Sequence, residues 1–148
     1  MDPLFDEEII IEKLKVESLK EFQKKAITAI LEENDCFVSQ PTGTGKSLVY
    51  QALPLLKPGG YVLVISPLIA LMQDQMNKLE RLGIKTIRLS YKDKEQNKKT
   101  SMQLQDSQII FASPEALLNV YLETLRDEQF GEKLICIAVD ESHMIVNW

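Results

Sequence analysis

At 148 residues, 45% of them hydrophobic and 26% charged, the chain has the size of one domain and enough apolar residues for a core, which excludes a disordered or collagen-like polypeptide. Its 17 basic and 22 acidic side chains give a net charge of −5, so charge alone does not point to nucleic acid, although a local basic groove can act within an acidic domain. The 2 cysteines exclude a disulfide scaffold, no stretch approaches the roughly 18 apolar residues of a membrane span, and the acidic start Met1-Asp2-Pro3-Leu4-Phe5-Asp6 is unlike a targeting peptide, so cytosol or nucleus is expected.

In chain order, residues 5–16 are expected to form a helix. Ser18-Leu19-Lys20-Glu21 has the form of a capping box, and Leu19, Phe22, Ala26, Ile27, Ile30 and Leu31 follow it at helical spacing. Asn34-Asp35 ends that helix and Cys36-Phe37-Val38 is a short strand. A glycine-containing loop over 40–47 opens a helix ended by Pro54. Residues 61–65, Tyr-Val-Leu-Val-Ile, are continuously apolar and rich in β-branched residues, as in a strand buried on both faces. Ser66-Pro67 opens a helix as cap and first residue, running to about Leu82, with Gly83 as its C-terminal cap. Strands are expected at 84–89 and 108–112. Between them, 91–105 is a polar, lysine-rich stretch whose interspersed acids suggest a solvated face. Ser113-Pro114-Glu115 repeats the cap-plus-proline opening, and 134–139 is the last strand. Alternation of this kind predicts a parallel sheet flanked by helices on both faces. Cys36 and Cys136 lie in apolar strands, as small core residues do. The abrupt stop at Trp148, just after a strand-end motif, suggests a fragment of a longer fold.

Two motifs carry chemistry. Gln40-Pro41-Thr42-Gly43-Thr44-Gly45-Lys46-Ser47 stands between a predicted strand and a predicted helix, the context of a phosphate-binding loop. Glycines let backbone N–H groups converge on phosphate oxygens, and the helix N-terminus adds positive potential. Lys46 reaches the β- and γ-phosphates, and the Ser47 hydroxyl is a Mg²⁺ ligand. At a distance of 94 residues from Lys46, the strand 134–139 delivers Asp140 and Glu141 at its C-terminal end, the edge where open α/β sheets bind ligands. Alone, such a pair can also be a solvated turn. With the phosphate loop, Asp140 is assigned to the metal and Glu141 to the attacking water. The only histidine, His143, closes Asp-Glu-Ser-His. Both motifs are expected to meet at one magnesium–triphosphate.

These pieces, with Val-Ile-Ser-Pro-Leu-Ile-Ala-Leu-Met-Gln-Asp-Gln at 64–75, Ser-Pro-Glu at 113–115 and Asp-Glu-Ser-His-Met-Ile-Val-Asn-Trp at 140–148, resemble the first RecA-like lobe of superfamily 2 helicases, and most closely that of the RecQ family of DNA helicases. The resemblance implies a three-layer α/β P-loop NTPase lobe over 19–148, with 1–18 as a helical extension. It implies ATP and Mg²⁺ as cofactors, with the nucleotide held by Gln23, Thr42, Gly43, Thr44, Gly45, Lys46 and Ser47, the metal by Ser47 and Asp140, and catalysis by Lys46, Asp140, Glu141 and His143. Gln23, placed 23 residues before Lys46, stands where the family reads adenine. Lys20 stands where the family usually has Arg. Ser142, Met144 and Ser113 replace the commoner Ala, Cys and Thr, which removes no catalytic group.

The resemblance further places single-stranded or forked DNA at Ser66, Pro67, Leu68, Gln75, Ser113 and Trp148. It implies a second RecA-like lobe in the intact protein, 3′-to-5′ polarity, and a nuclear location, or cytoplasmic in a prokaryote. Alone, the 148 residues are expected to bind nucleotide and hydrolyse it poorly. The rival readings are a DEAD/DEAH-type RNA helicase lobe and a non-catalytic nucleotide- or DNA-binding remnant.

Overall fold

The strands predicted at 61–65 and 134–139 form at those bounds. The computed structural model describes residues 5–33, 45–89, 106–118 and 132–139. Within it the chain divides after Pro58 into two compact units.

In the first unit, α1 (Glu7–Leu14) begins where the Asp6 carboxylate accepts a hydrogen bond from the Glu8 N–H at 3.0 Å. Glu7 and Glu8 in the first turn and Lys13 in the last complement the helix dipole. The helix α2 (Glu21–Leu31) starts later than the Ser18 capping box implies. Its N-cap is Lys20, whose backbone N–H donates to the Gln23 side-chain oxygen at 2.7 Å. That is the reciprocal half of a capping box only, because an ammonium has no lone pair with which to accept. The helix ends before Asn34, with Glu33 taking a left-handed φ of 65°.

The helix α3 (Ser47–Leu56) continues past Pro54 instead of stopping there. Proline removes one N–H from the ladder, but the Lys57 N–H still reaches the Leu53 carbonyl at 3.0 Å, and the last turn closes. Every residue of α3 from Leu48 to Pro54 is buried, so the helix runs through the interior. Both α1 and α2 pack on α3. They bury Ile10 and Leu14 from α1, and Gln23, Ala26 and Ile27 from α2. The ion pair Glu7–Lys24 at 3.4 Å is half exposed and contributes little to holding them.

In the second unit, β1 (Tyr61–Ile65), β2 (Thr86–Leu89), β3 (Ile109–Ala112) and β4 (Leu134–Val139) form one parallel sheet in the order β2-β3-β1-β4. The two central strands, β1 and β3, are buried at every residue. That burial is the physical reason for their unbroken apolar sequence. One face gathers Tyr61, Leu63, Ile65, Leu89, Ile110, Ala112 and Ala116 into a core, flanked by Ile87, Leu117 and Leu134.

The helix α4 (Ile69–Arg81) packs on β2 and buries Met72, Met76 and Leu79. It begins two residues later than the predicted Ser66-Pro67 opening. The Ser66 hydroxyl oxygen accepts from the Leu68 N–H at 3.2 Å in a local turn, and Leu68 is the N-cap. Its C-terminus matches expectation. Gly83, at φ 81°, donates to the Glu80 carbonyl, and Ile84 donates to the Leu79 carbonyl, each at 3.0 Å. This is a Schellman cap with its hydrophobic contact, since Leu79 and Ile84 are both buried.

Pro114–Ala116 begins the short helix α5, with the Ser113 hydroxyl accepting from the Ala116 N–H at 3.2 Å, as the sequence predicts. Replacing Ser113 by Ala is expected to cost about 1 kcal/mol, read as a drop in calorimetric melting temperature of roughly 2–4 °C.

Candidate functional site

The phosphate-loop helix and the α2 N-terminus meet at one side chain. Gln23 is 3% exposed, its oxygen engaged by Lys20 and its Nε2 donating to the Gly45 carbonyl at 2.9 Å. Gly45 has φ +90°, a conformation that side-chain-bearing residues rarely adopt. A Cβ placed there would lie 2.8 Å from Gln23 Nε2. Glycine is therefore favoured by its backbone angle, and a side chain at this position would displace the Gln23 amide from the Gly45 carbonyl.

Lys46 follows as the N-cap of α3 with helical angles, φ −59° and ψ −36°, and Ser47 is the first helical residue. Both are half-buried. A lysine and a hydroxyl at the first turn of a buried ten-residue helix, preceded by a glycine of positive φ, suit a polyphosphate. Of the predicted nucleotide residues, Thr42, Gly43 and Thr44 lie outside the described residues.

At the other unit's sheet edge, Ser66 and Ser113 directly follow Ile65 and Ala112, which are register partners on β1 and β3. The Ser66 N–H donates to the Ala112 carbonyl at 3.0 Å, so the two serines stand side by side past the C-terminal ends of neighbouring strands. Each hydroxyl accepts from a backbone N–H of the following turn; Ser66 is buried and Ser113 half-buried. Pro67 and Leu68 are half-buried beside them, Ile69 and Leu71 are exposed at the start of α4, and Gln75 lies half-buried one turn further along. The strand β4 ends at Val139, the register partner of Ile65, at that same edge. Asp140, Glu141, His143 and Trp148 lie outside the described residues. Among the described residues, no group of three or more His, Cys, Asp or Glu side chains could hold a metal ion.

Cys136 is half-buried on β4, and burial pushes its thiol up to about 11. The thiol is expected to stay protonated at pH 8 and to react slowly with iodoacetamide in the native chain, at the full rate of a free cysteine in urea; a C36S background isolates the signal. A folded-state value raised above the unfolded 9.0 also means that this thiol's contribution to stability is complete below pH 9 and is lost as pH rises towards 11.

Gln23 is a site residue by the family resemblance, which carries no indication of its hold on Gly45. Two residues 22 positions apart give no local signal of contact. The one sequence feature bearing on it is the glycine immediately before Lys46.

Residues 20–148 match the DEAD/DEAH box helicase family, and the chain belongs to that family. Its relatives include RecQ-type enzymes. It is 33% identical over 147 residues to ATP-dependent DNA helicase Q1 of Rattus norvegicus, covering 95% of this chain and 24% of the relative. It is 39% identical over 130 residues to ATP-dependent DNA helicase RecQ of Synechocystis, covering 85% and 27%, and 37% identical over 139 residues to RecQ of Haemophilus influenzae, covering 89% and 21%. The chain thus spans about a quarter of the length of the curated relatives it matches. In structure it is similar to the DUF1998 helicase MrfA, solved bound to DNA and AMPPNP, with a TM-score of 0.74 at 23% identity, covering 97% of this chain and 22% of that one. That likeness shows the three-layer α/β fold of a RecA-like lobe, as the sequence predicts. No described helix is long and apolar enough to cross a membrane.

Proposed function

We propose that this chain is the ATP-binding lobe of a RecQ-like DNA helicase, whose intact form couples ATP hydrolysis to 3′-to-5′ movement along single-stranded DNA and so separates strands. The observation that carries the reading is Gly45-Lys46-Ser47 at the mouth of α3, a donor-rich helix start with a cation on it. The loop's N–H groups cradle the phosphates, and the Lys46 ammonium neutralises charge at the β- and γ-positions. Gln23 keeps one further N–H and one lone pair beyond the two bonds it makes, the pair that an adenine edge requires. Magnesium, held by the Ser47 hydroxyl and the Asp140 carboxylate, would supply charge neutralisation between the phosphates. Glu141 would orient the attacking water, with His143 beside it.

The paired turns at Ser66 and Ser113, with Pro67, Leu68 and Gln75, set the half-buried Ser113 hydroxyl, as a donor, along one sheet edge with the exposed apolar Ile69 and Leu71 at the start of α4. Phosphates match the donor and bases match the apolar side chains. Trp148 would add a stacking surface. DNA is favoured over RNA because the RecQ-type relatives are DNA helicases, and by the run from Met72 to Gln75.

The test is ATP hydrolysis by the intact protein with single-stranded DNA or RNA of equal length added. Selective stimulation by DNA is expected. Selective stimulation by RNA would support the RNA-helicase reading instead, and no hydrolysis at all would support the non-catalytic one. The 148 residues alone are expected to bind Mg-ATP and to hydrolyse it slowly, because an arginine supplied from a second lobe is worth about 10³–10⁵ in rate. Robust unwinding by the chain alone would contradict this.

A further inference from the structure

From the contacts of Gln23 we infer that it is a positioning residue for the phosphate loop, acting on phosphate affinity through the Gly45 carbonyl and independently of any base. The inference rests on the nucleotide-site reading above and concerns how that site is held ready. The Gly45 carbonyl oxygen accepts twice, from Gln23 Nε2 at 2.9 Å and from the Leu48 N–H at 3.3 Å. Both of its lone pairs are thereby committed within the protein.

The peptide joining Gly45 to Lys46 is trans, so its carbonyl and its N–H point in opposite directions. Drawing the carbonyl towards α2 turns the Lys46 N–H away from α2, out from the start of α3. A carbonyl swung outward would present a partial negative charge to a phosphate; an N–H presents the complementary dipole. Gln23 thus selects the orientation of the Gly45–Lys46 peptide plane that an anion needs.

Gln23 is itself held in place. Its oxygen is fixed by the Lys20 N–H at 2.7 Å and its side chain is 3% exposed, so the amide has no freedom to turn from the loop. Gly45 in turn makes room for it, because a Cβ there would lie 2.8 Å from Nε2. The α2 N-cap, the amide and the glycine carbonyl form one chain of hydrogen bonds that ends at the phosphate-loop backbone.

The test uses a ligand without a base, Mg-tripolyphosphate, beside Mg-ATP. Titration calorimetry on the 148-residue chain compares wild type with Gln23→Met, which fills the same volume with neither hydrogen bond, and with Gln23→Glu, which keeps an acceptor for Lys20 and cannot donate to Gly45. Affinity for tripolyphosphate is expected to fall about tenfold in both variants, the worth of one committed hydrogen bond, with ATP falling at least as much. The Lys46 amide resonance is expected to move in ligand-free Gln23→Met. If wild type binds both ligands and both variants retain wild-type tripolyphosphate affinity, losing only ATP affinity or only thermal stability, the inference is overturned while the nucleotide site stands. If wild type binds neither ligand, both readings fall.

Discussion

Replacing Lys46 with Ala is expected to weaken Mg-ATP binding by roughly 10–150-fold, the range of one charge-assisted contact of about 1.5–3 kcal/mol to a phosphate. Lys46 is the N-cap of α3, already in helical conformation, and it makes no side-chain capping bond. Alanine adopts the same backbone angles without strain, so the melting temperature is expected to stay within about 1 °C of wild type. In the intact enzyme the loss extends to hydrolysis, by a further factor of about 10²–10³, because charge on the transferring phosphoryl group goes unanswered. Arginine at 46 is not a rescue. A planar fork cannot occupy the space of a compact ammonium between two phosphates. Calorimetric titration of both variants checks this, and an unchanged affinity in Lys46→Ala would remove the phosphate loop from the account.

The second large effect is on stability. Phe111 lies on β3, between β2 and β1, fully buried, with Val64 and Arg88 as its register partners. Phe111→Ala deletes the largest fully buried side chain among the described residues and leaves a cavity that flanking strands, fixed by their ladders, cannot close. The expected loss is about 3–5 kcal/mol, a large share of the roughly 5–15 kcal/mol that holds a domain together. Urea denaturation should show the midpoint falling with an unchanged slope. A loss under about 1 kcal/mol would mean that the β1–β3 interior is not the core of the second unit.

What was legible in the sequence follows physical lines. β1 and β4 are readable to the residue because each is an unbroken apolar run rich in β-branched residues. The Gly83 cap and the Ser113-Pro114 opening were readable because each depends on chemistry within a few residues.

The sheet order was not readable. β4 lies beside β1, which separates it from its sequence neighbour β3, and crossover length alone does not say where a strand inserts. The start of α2 was misplaced because two residues competed for the cap. Ser18 has the right hydroxyl, but Gln23 at the third helical position binds the Lys20 N–H instead. Pro54 reads as a stop, yet with Leu53 and Pro54 buried and Leu55 and Leu56 half-buried, α3 stays helical for two residues more. Pro67 looked like a first helical residue, and the Ser66 turn displaced it.

At the candidate site, Lys46 and Ser47 were legible from local motif and context. The Gln23–Gly45 bond depends on the packing of α2 on α3 and has no local trace.

The most direct measurement is an amide NMR titration of the isotope-labelled 148-residue chain with Mg-AMPPNP. Saturable shifts with one dissociation constant, largest at Gly45, Lys46 and Ser47, are the result expected. No shift at those three amides at saturating nucleotide, or shifts centred elsewhere in the chain, would contradict the proposal that the start of α3 holds the triphosphate.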